Sequence, residues 1–368
     1  MKKALAILMI LALVGSAAFA EITFGAWGRG VFVPVQNSGA SNDDSTATNK
    51  ASWGGAPRIG FTISGVSDNV GFQADMNVDG GKVSCGDQQK IWVKPVSMLT
   101  LTIGNAYDDT LRGNAAFGSF NWDRAMGTWT GDDVTFTRVA TSATKTEYKD
   151  TEYAAVQKGP YGQGVIAAIK PNDAIYVVAA LSDVNGGLTE NLFKNIQIAG
   201  GYTIDGIGQI RAQYYSAYVP SVTTTDDDTV GTVEVAFKLT AVENLYADFG
   251  LRMFTNKDRQ GETKTISAYA NYKIDAATIH GLVIYDLNEE DDGYNIAAGV
   301  DYSLDGGIGV AADVRYTNDI KSGGDDATTT FFAGVTKGFS NGKIGAGVEV
   351  KSSTDTGYSI PVVFEYWF

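Results

Sequence analysis

Hydrophobic and polar residues alternate along most of this chain. Tyr294, Ile296, Ala298, Val300, Tyr302 and Leu304 oppose Asn295 and Asp301. Val233, Val235, Phe237 and Leu239 oppose Glu234 and Lys238, and Ile308, Val310, Ala312, Val314 and Tyr316 oppose Asp313 and Arg315. Period two is the signature of β-strands, whose successive side chains point to opposite faces. The pattern begins at Glu21, where Ile22, Phe24 and Ala26 share a face opposite Trp27 and Arg29. It continues through Ile59 to Ile63, Val70 to Val78, 88–94 and 98–105. It ends at Tyr358, Ile360, Val362, Phe364, Tyr366 and Phe368, all apolar or aromatic, on the last twelve residues. Many segments run for about 10–12 residues, longer than the usual ~5–6 and near the length that crosses a bilayer at a tilt.

Tyr294 and Tyr302 lie eight residues apart on one face. At ~3.3 Å per residue and a ~40° tilt they stand roughly 20 Å apart along the membrane normal, close to an apolar band of ~25 Å flanked by aromatic girdles. Tyr202, Tyr272 and Phe368 also fall near predicted strand ends. Connections alternate in length. Short turns are expected at Ser67-Asp68-Asn69, Ala241-Val242-Glu243, Leu304-Asp305-Gly306-Gly307 and Ser340-Asn341-Gly342-Lys343. Longer polar connections are expected at about 36–56, 220–229, 255–262 and 318–327. Nineteen candidate strands emerge. Both termini belong on one side, so the number is even, and merging or discarding one of 150–158 and 162–170 leaves 18; sixteen is the alternative. The expected fold is all-β: one closed antiparallel transmembrane β-barrel over residues 21–368.

The ending resembles the C-terminal strand of bacterial outer-membrane β-barrels, where such a terminus is the assembly signal; the matching positions are Val362, Phe364, Tyr366 and Phe368. The resemblance implies partners in the barrel assembly machinery, outer-membrane lipid and lipopolysaccharide or its equivalent. It implies an outer-membrane location in a diderm bacterium. A homotrimer, as general porins form, is left open by the sequence.

Residues 1–20 read as a secretory signal peptide: Lys2 and Lys3, an apolar run from Ala4 to Val14, then the small-x-small site Ala18-Phe19-Ala20. Without the two leader lysines, 26 basic residues face 42 acidic ones, a net charge of −16. That excludes a general nucleic-acid footprint, which needs basic patches. It suggests a weak cation preference for any pore. Cys85, the single cysteine, is placed in a loop and can form neither an intrachain disulfide nor a zinc site by itself.

The longest connection, about Asn105 to Lys149, follows the fifth predicted strand. In general porins the loop after the fifth strand folds into the lumen and narrows it, and the position here is similar. The Pro-Glu-Phe-Gly-Gly segment usual in that family is not found; Ala116-Phe117-Gly118 stands nearest to it. The loop carries Asp108, Asp109, Arg112, Asp123, Arg124, Asp132 and Asp133, with Trp122 and Trp129. Folded inward, its carboxylates would face basic residues on the wall, of which Arg29, Arg58, Lys90 and Lys94 are at lumen-facing positions. Opposed charges across a constriction set up a transverse field that screens ions and orients dipolar solutes. An outward, solvated or adhesive loop is the alternative.

Polar strand positions such as Asp75, Arg211, Arg252, Asp313, Arg315 and Glu349 are expected to line the lumen, and small residues there (Gly25, Gly60, Gly71, Gly299, Gly345, Gly347) to leave room for water. Acidic runs at Asp43-Asp44, Asp226-Asp227-Asp228, Glu289-Glu290-Asp291-Asp292 and Asp325-Asp326 lack the fixed spacing of a calcium loop and read as solvated. No metal or cofactor is expected. His280, the single histidine, turns to the lumen with Asp286 further along its strand. No serine motif accompanies it, so an outer-membrane hydrolase is disfavoured. The function expected is passive diffusion of small hydrophilic solutes. The rivals are an adhesin or structural barrel with an occluded lumen and a soluble periplasmic all-β protein.

Overall fold

The computed structural model describes residues 21–40, 43–48, 57–79, 82–113, 159–182, 196–219, 228–255, 264–287, 293–318 and 327–368. Among the described residues twenty strands form one antiparallel sheet. They are β1 (Glu21–Asn37), β2 (Ser45–Thr48), β3 (Arg58–Ser67), β4 (Val70–Asp79), β5 (Lys82–Val96), β6 (Leu99–Asp108), β7 (Gly159–Ile169), β8 (Ile175–Ser182), β9 (Ile196–Ile204) and β10 (Gly208–Val219). There follow β11 (Asp228–Leu239), β12 (Leu245–Phe254), β13 (Lys264–Ile274), β14 (Ala277–Leu287), β15 (Gly293–Leu304), β16 (Ile308–Asn318), β17 (Thr328–Phe339), β18 (Gly342–Ser352), β19 (Thr356–Ser359) and β20 (Val362–Trp367).

Each strand from β3 to β18 pairs with the next, and β1 closes the sheet by pairing with β3 on one side and β20 on the other. The closed barrel has 18 staves. β19 and β20 make up one stave, interrupted at Pro361, which has no N–H to donate to a ladder. β2 adds to the far end of β1. At the seam the backbone N–H of Phe368 donates to the carbonyl of Ala26 at 2.7 Å. Closure gives β1 and each strand from β3 to β18 a partner on both sides, which a bilayer requires because lipid offers no hydrogen bonds to bare backbone.

The alternation is realised inside out. On β15, Ile296 and Tyr302 are 45% and 46% exposed, whereas Asn295 and Ala297, on the opposite face, are buried. Phe24, Ile103, Phe331 and Phe364 are likewise exposed on the outer wall. An exposed apolar wall around a polar interior is what a lipid solvent selects. Outward aromatics ring the rim that carries the short turns: Tyr202, Tyr272, Tyr302, Phe339, Tyr366 and Phe368. On the opposite rim Tyr294 stacks between Tyr285 and Tyr316, with ring centres 6.5 and 5.6 Å away.

The strand number agrees with the parity argument; of the ambiguous pair, 162–170 corresponds to β7, and 150–158 lie outside the described residues. Two of the expected turns contain left-handed residues that the turn needs. Asn244, at φ 61°, completes the turn after Glu243, and Gly306 and Gly307 sit at φ 73° and 74°; Asn and Gly tolerate that region best. Strand bounds shift where the pattern is weak. β6 runs on to Asp108, past the expected start of the long connection at Asn105. Residues 36–56 are not one loop, because β1 extends to Asn37 and Ser45–Thr48 pairs with it. Cys85 lies within β5, not in a loop: it pairs opposite Met76, and its Sγ accepts from Gln89 Nε2.

Three of the small lumen-facing residues do not stand open. The indole of Trp27 fills the space over Gly60, that of Trp92 the space over Gly71, and the ring of Phe332 the space over Gly347. Each of these glycines is a socket for an aromatic on the neighbouring strand, a pairing that shields a bare stretch of sheet. The expectation of room for water is corrected at these three positions; a Cβ at Gly25 would meet nothing nearer than 3.8 Å.

Candidate functional site: the lumen and the root of the long connection

β6 ends at Asp108, and the chain then turns sharply. Asp108 Oδ1 accepts the backbone N–H of Thr110 at 3.0 Å, an Asx turn, and the N–H of Arg112 donates to the carbonyl of Asp109 at 3.0 Å. This reversal carries Leu111 into the barrel, where it is fully buried. Its Cδ2 lies against Gly201, so that a Cβ there would collide with it.

Polar groups on both sides hold the root in place. Tyr176 on β8 donates its hydroxyl to Asp108 Oδ2. Arg211 on β10 donates from Nη1 to the carbonyl of Leu111 at 3.1 Å. The register explains why these three meet: Gly201 pairs with Tyr176 on one side and Arg211 on the other. Arg211 is itself held by the Asp248 carboxylate, which accepts from Tyr246 Oη at 2.9 Å. Arg211 and Asp248 are fully buried. A buried pair of this kind holds geometry more than it adds net stability, since desolvation consumes much of the Coulomb gain.

The expected constriction residues divide into three groups. Asp108 and Asp109 lie at the root of the connection, and together with Asp75 their charges act on the Lys90 ammonium. Arg112 follows directly in the same turn. Arg29 and Arg58 engage carboxylates of the wall itself: Arg29 Nε meets Glu365 at 2.7 Å, and Arg58 Nη2 meets Asp79 at 2.6 Å. Glu365 also takes Lys343 at 3.0 Å. Lys94 sits with its Nζ 5.1 Å from the ring centre of Trp92. Asp123, Arg124, Asp132 and Asp133, with Trp122 and Trp129, lie outside the described residues.

The expected lining residues are all on the inward face. Asp75 accepts from Thr62 Oγ1 at 2.9 Å, Gln73 Nε2 at 3.1 Å and the N–H of Gln88 at 3.1 Å. Arg315 Nε donates to Asp313 at 2.9 Å, Arg252 Nη2 to Thr265 Oγ1 at 3.3 Å, and Ser359 to Glu349 at 3.0 Å. Exposure varies around the inner wall. Along β10–β18, Arg211, Glu234, Asp248, Arg252, Thr265, Arg315, Thr330 and Glu349 are buried from water, while Asp301 and Lys343 keep a fifth to a quarter of their side-chain surface. Along β1 and β3–β8, Arg29 and Arg58 keep a quarter to a third of theirs and Lys94 is exposed, while Val31, Val33, Ile166 and Val178 are buried.

His280 is buried on the inner face and meets Asp301 on β15, Nε2 to Oδ2 at 3.3 Å, rather than a carboxylate further along its own strand. The Asp286 side chain lies outside the described residues. Of the acidic runs, Asp43-Asp44 is described: Asp44 accepts from Tyr358 Oη at 2.7 Å and Asn37 Nδ2 at 3.2 Å, which hold its carboxyl below the ordinary carboxylate range. Glu289 to Asp292, Asp325 and Asp326 lie outside. Among the described residues no cluster of three or more His, Cys, Asp or Glu is spaced to hold a metal ion. Local alternation missed Leu111, Tyr176, Gly201, Tyr246 and Asp248 as a group. The one advance sign was the Gly200-Gly201 pair inside a strand, which marks a close approach.

A barrel with this inverted wall and a connection rooted inside its lumen has the architecture of bacterial outer-membrane channels. Among solved structures, the chain is similar to OccAB4 of Acinetobacter baumannii: TM-score 0.56, 8% identity, covering 95% of this chain and 98% of that one. It also matches a porin structure (TM-score 0.49, 15% identity, 95% and 100% covered) and an anion-selective porin from Comamonas acidovorans (0.48, 11%, 95% and 100%). No family model matches the sequence, and no curated protein matches it. The structural neighbours are mainly porins and outer-membrane channels; the fold is that of a porin-like outer-membrane barrel and points to the outer membrane.

Proposed function

We propose that residues 21–368 act as a passive pore for small hydrophilic solutes and ions, with no enzymatic step, after removal of residues 1–20 as an export leader. The observation that carries this reading is the seating of Leu111 on Gly201, which starts the long connection towards the lumen instead of away from the rim. In this reading the connection narrows the water path. Asp108 and Asp109 then stand near Lys90, on the neighbouring strand, beside that path. Opposed charges at a narrow point act at short range, so they sort solutes where exposed loop charges, screened within a Debye length of ~8 Å, do not. Val362, Phe364, Tyr366 and Phe368 present the outward apolar row that the assembly machinery would read, and outer-membrane lipid and lipopolysaccharide would surround the wall. A homotrimer is consistent with the same outer face.

Single-channel recording of refolded 21–368 in a planar bilayer, before and after deletion of residues 114–150, tests the proposal. Discrete steps that grow on deletion support a pore narrowed by this connection. Steps unchanged by deletion keep the pore and remove the constriction. The burial of Arg211, Glu234, Asp248, Arg252, Arg315 and Glu349 on the inner wall favours a second reading, a structural or adhesive barrel with an occluded lumen. A folded barrel without steps selects that one.

A further inference from the structure

The ladder between β4 and β5 breaks at one place. Ala74 pairs with Gln89 and Met76 with Cys85, so Asp75 alone stands opposite Gly86, Asp87 and Gln88. The surplus residues make a bulge in β5, and a bulge in a strand re-aims the side chains that follow it. Glycines flank it on both neighbouring strands' sides. A Cβ at Gly86 would run into the Cβ of Asp75 on β4. A Cβ at Gly104, which pairs with Lys90 from β6, would run into the carbonyl of Gln89. Gly104 stands at φ 131°, a backbone conformation that glycine alone adopts without strain.

The bulge is held by Asp75. Its Oδ2 accepts the Gln88 N–H at 3.1 Å, and its Oδ1 is fixed by Thr62 Oγ1 from β3 at 2.9 Å and by Gln73 Nε2 at 3.1 Å. Gln88 in turn presents its Oε1 to Lys90, whose ammonium donates to it. The carboxylates whose charge acts on that ammonium are Asp109, Asp108 and Asp75. A lysine head on a four-carbon stem samples many positions unless something holds it. Here a neutral amide holds it, and the backbone of that amide residue is held by a carboxylate on the next strand.

We propose that Asp75 and Gln88 are positioning residues for Lys90: the β5 bulge keeps the ammonium in one place beside Asp108 and Asp109, and that placement sets the ion preference of the lumen. The effect on ions rests on the pore reading; the latch from Asp75 through Gln88 to Lys90 does not.

The test uses refolded 21–368 and its variants, compared as barrels that keep the folded electrophoretic mobility. Reductive methylation with isotope-labelled formaldehyde marks the lysines for NMR in micelles and keeps their charge; the Lys90 resonance is the one lost in Lys90→Met. Ion preference is read as the reversal potential in a KCl gradient across a planar bilayer. Gln88→Met changes no charge. It should move the Lys90 resonance to the position of solvent-exposed lysines and shift the reversal potential towards cations, as Lys90→Met does, with no further shift when the two are combined. Asp75→Ala should move the resonance in the same way. Asp75→Asn, which loses the charge but keeps an acceptor for the Gln88 N–H, should leave it near the parent position. If Asp75→Ala does not fold, Gln88→Met is read with Asp75→Asn. A Lys90 resonance unmoved by Gln88→Met, equal effects of Asp75→Ala and Asp75→Asn, or a Gln88→Met shift in reversal potential of the same size with and without Lys90 overturns the proposal. A resonance that moves in a folded barrel passing no current keeps the latch and overturns the pore reading.

Discussion

Leu111 occupies the space that a side chain at position 201 would need. The two residues are ninety positions apart and belong to different parts of the chain: one is in the turn after β6, the other mid-lumen on β9. Their contact ties the start of the longest connection to the inner wall, and Tyr176 and Arg211 close over it from the two neighbouring strands.

Gly201→Val should therefore unseat Leu111 while leaving the strand able to form, since valine is a good β former. The expected outcome is a barrel of near-native β content with larger or noisier single-channel conductance. Leu111→Ala should act in the same direction and cost about 2–5 kcal/mol of local packing. Conductance identical to the parent in both variants would show that this seat does not control the path.

The Arg211–Asp248 pair is fully buried, so its two halves are not interchangeable. Arg211→Met leaves a buried carboxylate, with the Tyr246 hydroxyl as its remaining hydrogen-bond donor, and should destabilise by about 3–5 kcal/mol, whereas Arg211→Met combined with Asp248→Leu should recover most of that loss. Denaturant unfolding of the single and double variants gives the coupling. Strictly additive losses would rule the pair out as a unit.

Glu365 neutralises two wall cations, Arg29 and Lys343, at the closing seam. Glu365→Gln should shift the reversal potential in a KCl gradient towards anions. The shift should shrink as salt rises, because these groups are partly exposed and screened. A shift towards cations, or none at low salt, would remove this triad from the ion path.

Gly60 and Gly71 hold the indoles of Trp27 and Trp92 flat against the inner wall. Gly60→Val should push Trp27 into the lumen, costing about 1–3 kcal/mol as overpacking does, and reduce the conductance. Tryptophan emission should move to the red as the ring meets water. An unchanged spectrum would mean that the indole is not seated there.

Asp44 provides a pH readout on the rim. Its carboxyl is held down, first by the Tyr358 hydroxyl and then by the Asn37 amide. The group is depressed in the folded barrel, so what it contributes is present above the unfolded carboxylate value of about 3.9 and is lost as pH falls through the lower folded value. In Tyr358→Phe the Asp44 midpoint, followed by carboxyl carbon NMR, should rise towards the ordinary range. A midpoint unmoved by that change would separate Asp44 from Tyr358. Full exposure keeps any effect on global stability small.

The sequence by itself determined the strand period, the inverted wall, the even count of eighteen staves and the outward row from Val362 to Phe368. Each of these follows from local rules: a period of two, turn residues at short connections, and the length a tilted strand needs to cross lipid. The face a strand residue takes follows from parity alone. Only the tertiary structure decided which inward residues meet. Arg211 and Asp248 are 37 positions apart, His280 takes Asp301 from the adjacent strand, and Trp27 covers Gly60 rather than water. Such pairings depend on the stagger between neighbouring strands and on the chain reversal at Asp109 to Arg112, and neither is carried by alternation within one strand. The burial of individual inward residues has the same origin: Leu111 is covered by groups on β8, β9 and β10, at distances along the chain that no local pattern spans.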